Sequence, residues 1–267
     1  EWFLRKRLLI STRSSMHKGN SMAGQDLRTL IEAPHRRPAN IARNAARHPV
    51  ETLEFFGLAP DLTVLEILPA FGWYTEILAP YLADEGLLYV AHFSPDGILP
   101  YMPKALEMYE KIARRNPEIY GKVTVRHINP PNEVSVAPPE SVDLAMTFRN
   151  VHNWIMSDQE DEYFKAFYQA VKPGGVLGVV EHRARPGASM ESMHKTGYVT
   201  EDYVKEVAAK VGFEFEGASD INANPKDTTD HPNGVWSLPP ILQSGEDDRF
   251  RAIGESDRMT LKFRKPN

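Results

Sequence analysis

Short apolar runs separated by longer helix-forming segments dominate the sequence after residue 62. The first five runs are almost continuously apolar, as expected of strands in a parallel sheet that helices cover on both faces. The last two runs alternate apolar and polar residues, which is typical of an edge hairpin. The predicted strands cover residues 63–68, 87–93, 122–128, 142–148, 175–182, 213–219 and 258–265. The sequence thus predicts an α/β fold: a Rossmann-like, seven-stranded, mostly parallel sheet with helices on both faces and an antiparallel last strand.

The helical segments and the loops divide the chain into parts. Helices are predicted between the strands, near residues 72–83, 97–115, 157–171 and 200–211. Residues 23–61 are predicted to form a helical extension ahead of an α/β domain at 62–267, and residues 1–22 a basic flexible arm. The segment at about 220–257 is too long for a hairpin loop and carries apolar residues, so we expect it to form an ordered lid over a pocket.

Composition favours small molecules as partners. A net charge of -5 and a pI near 6.0 argue against a nucleic-acid-binding protein, which would normally be basic. No apolar run is long enough to cross a bilayer, so we expect no membrane span and a soluble, cytoplasmic protein. The arm has five basic residues and no acid between Glu1 and Asp26, a bias it shares with organellar transit peptides, so organellar targeting stays open. The oligomeric state is also open, with a homodimer as one expectation.

The stretch VLEILPAFGWYTEILAPYL, from Val64 to Leu82, is typical of a strand, a tight turn and a helix that together bind a nucleotide. In such a corner an acid ends the strand, and N–H groups at the helix start point at the ligand. Glu66 fits the acid position, and Gly72 is the single glycine ahead of the helix. The alternative is a plain strand–helix turn that binds nothing.

Several motifs together resemble the class I S-adenosylmethionine-dependent methyltransferase superfamily. VKPGGVLGVVEHR is similar to the Lys-Pro-Gly-Gly turn before the fifth strand of that family, and VDLAMTFRNVHNW resembles its fourth strand and active-site loop. GWYTEILAP, TFRNVHNW, VVEHR and GESDRMTL are most similar to a branch of uncharacterised bacterial methyltransferases. The resemblance extends from about residue 35 to the C-terminus. It implies S-adenosylmethionine as the cofactor and methyl transfer to a small-molecule acceptor.

The resemblance also implies a set of cofactor-binding residues, namely Glu66, Pro69, Gly72, Tyr74, His92, Asn129 and Asn150. The family pattern has glycines at 68, 70 and 72, whereas this chain has Leu68 and Ala70. Where the family has an acid for the ribose, this chain has His92, which can make one hydrogen bond where a carboxylate accepts two. We therefore expect weaker cofactor binding. A core-edge histidine is an equal alternative for His92, and a turn residue before Pro130 is the favoured alternative for Asn129.

Two polar clusters follow the fourth and fifth strands, where ligands bind in open α/β sheets. The candidate catalytic residues are Arg149, His152, Glu181, His182 and Arg183. We expect His152 or His182 to act as a base, because imidazole titrates near neutrality. Glu181 would orient a histidine, and Arg149 or Arg183 would bind an anionic substrate through forked hydrogen bonds. The alternative is a structural salt bridge between Arg149 and Glu181.

Two other functions stay open. One is a degenerate methyltransferase fold that binds a nucleoside-like ligand without catalysis, which the altered glycine turn favours. The other is a metal-assisted hydrolase or lyase on the same sheet. Asp227, Asp230 and His231 could ligate a metal with His182 or His194, but the spacing is unspecific and turn chemistry is the favoured interpretation. No metal site is predicted.

Overall fold

The structure is a computed structural model that describes residues 26–97, 99–245 and 247–267. The predicted arm at 1–22 lies outside these residues. The strands are β1 (Thr63–Ile67), β2 (Leu87–Phe93), β3 (Thr124–Ile128), β4 (Val142–Phe148), β5 (Val171–His182), β6 (Glu214–Ser219) and β7 (Arg258–Arg264). They form one 7-stranded sheet in the order β3-β2-β1-β4-β5-β7-β6. Strands β1 to β5 pair in parallel, and β7 lies antiparallel between β5 and β6, which confirms the predicted fold.

Helices cover the sheet on both faces. They are α1 (Leu27–Leu30), α2 (Pro38–Ile41), α3 (Asn44–Arg47), α4 (Pro49–Phe56), α5 (Thr75–Tyr81), α6 (Tyr101–Arg115), α7 (Pro117–Tyr120), α8 (Val151–Met156), α9 (Glu160–Ala170), α10 (Met190–Thr196), α11 (Glu201–Val211) and α12 (Asp248–Ile253). Among the described residues, no helix is long and apolar enough to span a membrane.

Alternation along the strands produces two hydrophobic cores, one on each face of the sheet. In β1, Leu65 and Ile67 join the core beneath α8, α9 and α11, whereas Val64 joins the core beneath α1, α4 and α5. Gly178 of β5 lets helix α4 lie directly on the sheet, because a Cβ at this position would come within 2.6 Å of the Phe56 ring. The continuous apolar runs therefore follow from burial on both faces.

Helix α8 is the main local difference from the sequence prediction, which placed one helix at 157–171. The structure has two helices, α8 and α9, separated by a turn in which Asp158 has a φ of 51°. Because α8 begins directly after β4, its first turn lies at the carboxyl edge of the sheet. That position brings His152 close to the end of β5.

The long segment between β6 and β7 has structure of its own. It contains a short 3₁₀ helix, Gly234–Ser237, and helix α12. The Asn222 side chain fastens its start by donating to the hydroxyls of Thr52 and Thr260, at 3.0 and 2.9 Å. A role for this segment as a lid stays a prediction.

Candidate active site

A cavity of about 370 Å³ lies beyond the carboxyl ends of β1, β4 and β5. This edge is where open α/β sheets bind their ligands. The turn after β1 and the start of α8 form its inner walls. The segment between β6 and β7 supplies an outer wall with Trp236, Leu238 and Ile241. Residues far apart in sequence thus enclose one space.

The turn after β1 keeps the backbone shape of a glycine-rich turn although it has only one glycine. Leu68, Ala70 and Gly72 have φ values of 46°, 52° and 79°, all in the left-handed region. A residue with a Cβ pays about 1–2 kcal/mol there. The Asn150 side chain supports this strained turn, since its amide donates to the carbonyl of Ile67 at 3.0 Å. The structure therefore brings Asn150 to the turn, as a brace that also lines the cavity.

Three other predicted cofactor residues occupy different places at this turn. Pro69 and Tyr74 line the cavity, and the Tyr74 ring stacks on Phe148 with centroids 3.7 Å apart. Gly72 does not line it. A Cβ at Gly72 would point at Tyr109 and Thr75, at 3.2 to 3.4 Å. This glycine therefore serves the turn and the packing beneath it, and its role in ligand approach stays a prediction.

Glu66 is a buried acid at the inner end of the cavity. Its carboxylate accepts a hydrogen bond from the Thr75 hydroxyl at 2.5 Å. Burial raises the pKa of Glu66 to about 8, and the Thr75 hydrogen bond only partly opposes this shift. At neutral pH the carboxyl group therefore holds its proton for most of the time.

Replacing Glu66 with glutamine is expected to flatten the pH dependence of stability. The folded-state pKa of about 8 exceeds the ordinary value of 4.5, so the folded protein keeps a proton that the unfolded chain has released. Stability should then fall as pH rises between those values, by about 1.4 kcal/mol per pH unit from this group. Glutamine does not titrate and keeps an oxygen for Thr75. Melting curves of both proteins from about pH 5 to pH 8 measure the difference; a constant difference across that range would refute it.

His92 and Asn129 do not line the cavity, and their predicted cofactor contacts stay predictions. The His92 ring donates from Nε2 to the Ala70 carbonyl at 2.8 Å and accepts at Nδ1 from the Phe93 N–H at 2.8 Å. Burial lowers the pKa of His92 to about 4, so the ring is neutral. Asn129 forms a turn, with its carbonyl accepting from the N–H groups of Asn132 and Glu133. His92 therefore braces the strained turn, and Asn129 shapes the loop after β3.

His152 and Glu181 form an oriented pair at the cavity wall. The His152 Nδ1 lies 2.9 Å from the Glu181 Oε1, and the His152 backbone N–H donates to Oε2 at 3.1 Å. A carboxylate can only accept, so Nδ1 carries a proton, and in the neutral form of the ring Nε2 keeps its lone pair. No described residue bonds to that Nε2, and His152 lines the cavity. This is the arrangement of a general base with an orienting acid.

His182 lies beside this pair, with its ring centroid 5.1 Å from that of His152. Its Nδ1 lies 2.5 Å from the Ser256 hydroxyl. Burial and the neighbouring His152 and Arg149 hold the pKa of His182 well below its usual range. His182 is therefore a neutral imidazole at the cavity wall.

The two candidate arginines have opposite surroundings. Arg149 lines the cavity, and no described residue forms a hydrogen bond or ion pair with its guanidinium group. Arg183 lies outside the cavity lining and is held by Asp257 on two nitrogens, at 2.9 and 3.0 Å. Asp220 and Glu201 also accept from it, at 2.8 and 3.3 Å. The guanidinium nitrogens of Arg183 are thus already occupied, which favours Arg149 over Arg183 for the predicted role in substrate binding.

The acidic cluster between β6 and β7 is a hydrogen-bonded turn. Asp227 accepts from the Tyr198 hydroxyl at 2.9 Å, from the Asp257 backbone N–H at 2.8 Å and from the Thr229 N–H at 2.9 Å. His231 adds a fourth contact at 2.8 Å. The group with metal-ligand spacing in the described part of the chain is a different one, namely His152, Glu181 and His182.

Comparison with known proteins identifies the fold. No family model matches the chain, and no curated protein matches it in sequence. A methyltransferase from Aquifex aeolicus is similar at 13% identity and a TM-score of 0.55, covering 90% of this chain and 98% of that chain. A geranyl diphosphate C-methyltransferase from Streptomyces coelicolor, solved with S-adenosyl-L-homocysteine, is similar at 12% identity and 0.55, covering 88% and 87%. The chain has the fold of S-adenosylmethionine-dependent methyltransferases.

The methyltransferase fold by itself does not fix the reaction. The cyclase SpnF is also similar, at 17% identity and a TM-score of 0.56, covering 88% of this chain and 86% of that chain. The chemistry must therefore be argued from the side chains in the cavity. Sequence reasoning assigned no role there to Arg47, Glu255 or Ser256, and it used Trp236 only as an indication of a packed lid. Glu255 and Ser256 lie in the motif GESDRMTL, which indicated the family resemblance but no role for either residue, and Arg47 lies far from both along the chain.

Proposed function

We propose that this protein is an S-adenosylmethionine-dependent methyltransferase that acts on a small-molecule acceptor. The observation that carries the proposal is the His152–Glu181 pair, which presents a free imidazole nitrogen to a cavity beside the left-handed turn after β1. When bound, S-adenosylmethionine supplies an electrophilic methyl group. The chain must then hold an acceptor close to that group and remove its proton.

The cavity fits the methionine end of the cofactor better than its ribose. Glu66 and the backbone around Ala70 line the turn, and Asn150 lies beside them; these groups would hold the cofactor there. The turn has the left-handed conformation that allows close backbone approach. At the end of β2, however, the family's acid is replaced by His92, whose two nitrogens are occupied. We therefore expect binding that is weaker by about ten- to a hundredfold, the effect of one lost charge-assisted hydrogen bond.

The proposed proton transfer depends on His152 and Glu181. His152 accepts the proton of the acceptor at Nε2, because its Nδ1 is committed to Glu181. Glu181 fixes the tautomer and the ring orientation. His182 stays neutral and takes no part in the proton transfer, which His152 carries out. Trp236, whose ring centroid lies 6.2 Å from that of His152, limits the entry of water.

Binding of S-adenosylmethionine to the purified full chain tests the proposal. Calorimetry and thermal melting with S-adenosylmethionine and S-adenosylhomocysteine are expected to show binding at millimolar ligand or below, with ATP as an adenosine-containing control that should bind more weakly. No heat and no change in melting temperature with either ligand would overturn the cofactor assignment. Binding without transfer to any acceptor would instead favour the degenerate fold that only binds a nucleoside-like ligand.

A metal-assisted reaction is the second candidate, because His152, Glu181 and His182 present ligand atoms within 4.8 Å of one another. Two features oppose it. The oxygens of Glu181 already accept three N–H groups, and Arg149 lies close enough to lower the pKa of His182. Both features raise the cost of binding a divalent cation. Calorimetric titration with Zn²⁺ and Mn²⁺ separates the candidates, since micromolar binding that His182→Gln abolishes would favour the metal.

A further inference from the structure

Arg149 lines the cavity, and no residue that the structure describes forms a hydrogen bond or ion pair with its guanidinium group. It follows β4 directly, has a φ of 60°, and its backbone N–H donates to the Val180 carbonyl at 2.7 Å. Burial and the nearby Arg258 lower the pKa of Arg149 to about 10, so the guanidinium group still carries its charge at neutral pH. Arg149 is half-buried. Its strained backbone, and a cation that forms no hydrogen bond or ion pair with a described residue, both cost stability, and such costs concentrate at functional sites.

The neighbouring charges leave this region strongly positive. Glu255 is shared by three arginines, with nitrogen–oxygen distances of 2.5 Å to Arg43, 3.2 Å to Arg258 and 3.5 Å to Arg47. Burial alone would raise the pKa of Glu255, but the three arginines outweigh it and lower the pKa to about 2. One carboxylate thus forms ion pairs with three cations; it attracts Arg149 electrostatically but forms no ion pair with it. An anion in the cavity would find an uncompensated positive charge.

The mouth of the same cavity is apolar and open. Phe71, Tyr101 and Ile241 line it and are 51%, 47% and 59% exposed, among the most exposed large hydrophobic residues described. They belong to the turn after β1, to α6 and to the segment between β6 and β7. Exposed apolar groups that converge on one opening mark a binding surface for an apolar ligand.

From the unpaired Arg149 within a positive interior and the apolar mouth, we infer that the cavity binds an amphipathic organic anion. Its carboxylate or phosphate accepts from the Arg149 guanidinium group, and its apolar body lies against Phe71, Tyr101 and Ile241. The assignment of this anion as the methyl acceptor rests on the proposed function, whereas the anion site itself does not. The methionine carboxylate of S-adenosylmethionine is the other source of the same chemistry, and the experiment below distinguishes the two.

The test uses a matched pair of probes, octanoate and octanamide, which differ in charge and share an apolar chain. Calorimetry on the full chain without cofactor is expected to show octanoate binding at least tenfold more tightly than octanamide, the effect of one charge-assisted hydrogen bond. In Arg149→Met that preference should disappear, while octanamide binds as before. Arg114→Met is the control, because Arg114 pairs with Glu110 on the surface of α6, and it should keep the preference.

Stability and competition provide two further readouts. Arg149→Met should melt at a temperature at least as high as the wild type, because it removes a half-buried charge that forms no hydrogen bond or ion pair with a described residue; a lower melting temperature would mean that Arg149 serves the fold and would contradict the inference. Octanoate and S-adenosylmethionine should bind together. Equal affinity for octanoate and octanamide would overturn the inference. Displacement of octanoate by S-adenosylmethionine would also overturn it, and would indicate that Arg149 binds the methionine carboxylate of the cofactor. If S-adenosylmethionine fails to bind but octanoate still binds more tightly than octanamide, the proposed function fails and the anion site is retained.

Discussion

Replacing Glu181 with leucine is expected to lower the free energy of unfolding by about 3 kcal/mol or more, the usual cost of breaking a buried charged network. Glu181 is fully buried and accepts from the His152 N–H, the His152 Nδ1–H and the His182 N–H. Leucine would leave these donors buried without partners. The network joins β5 to the first turn of α8, so its loss should also detach that turn from the sheet.

Urea denaturation followed by circular dichroism measures this loss. Glu181→Gln should fall between the wild type and the leucine variant, because one amide oxygen still accepts while the amide nitrogen faces a donor. Glu133→Gln is the control, since its side chain is 44% exposed and should change stability by less than about 0.5 kcal/mol. A leucine variant as stable as the wild type would show that the carboxylate does not hold this corner together.

His152→Gln is expected to lower the rate of methyl transfer by about a hundredfold or more, the usual contribution of a positioned base. Glutamine keeps a similar size and can still donate to Glu181, so folding and cofactor affinity should stay close to those of the wild type. Transfer of a labelled methyl group to an acceptor found among organic anions gives the rate, and calorimetry gives the affinity.

Two other histidines make this test specific. His182→Gln should reduce the rate less, because the proposed base is the histidine that Glu181 orients. His127→Gln should leave the rate unchanged, since His127 lies on β3 outside the cavity lining. If His152→Gln retains full activity, the proton must leave by another route, and the pair with Glu181 is structural.

The sequence predicted the sheet and its order of elements well, because strands that are buried on both faces consist of continuous apolar runs. It also placed His152, Glu181 and Arg149 at one edge, since the carboxyl ends of neighbouring parallel strands meet there. It could not show which groups were already occupied. His92 is engaged by the Ala70 carbonyl, and Arg183 by acids from distant segments. Such pairings depend on tertiary contacts that no local pattern records.

Backbone strain was equally invisible in the sequence. Leu68, Ala70 and Arg149 are non-glycine residues with positive φ, and all three line the cavity. The missing glycines suggest that the turn is lost, whereas the structure retains it with strained backbone at non-glycine residues. The supports for that turn, His92 and Asn150, come from the ends of β2 and β4.

The contact between α3 and Glu255 has an evolutionary consequence. Arg43 and Arg47 precede the first strand, yet they neutralise an acid that lies just before the last one. Without these two arginines Glu255 would keep only Arg258 as an ion-pair partner, and without Glu255 the two arginines would lose the acid they share. We therefore expect the two to be inherited together: a homologue that loses the helices ahead of β1 should also replace the acid, and one that keeps the acid should keep both arginines. The helices ahead of β1 and the acid before β7 should therefore change together among homologues.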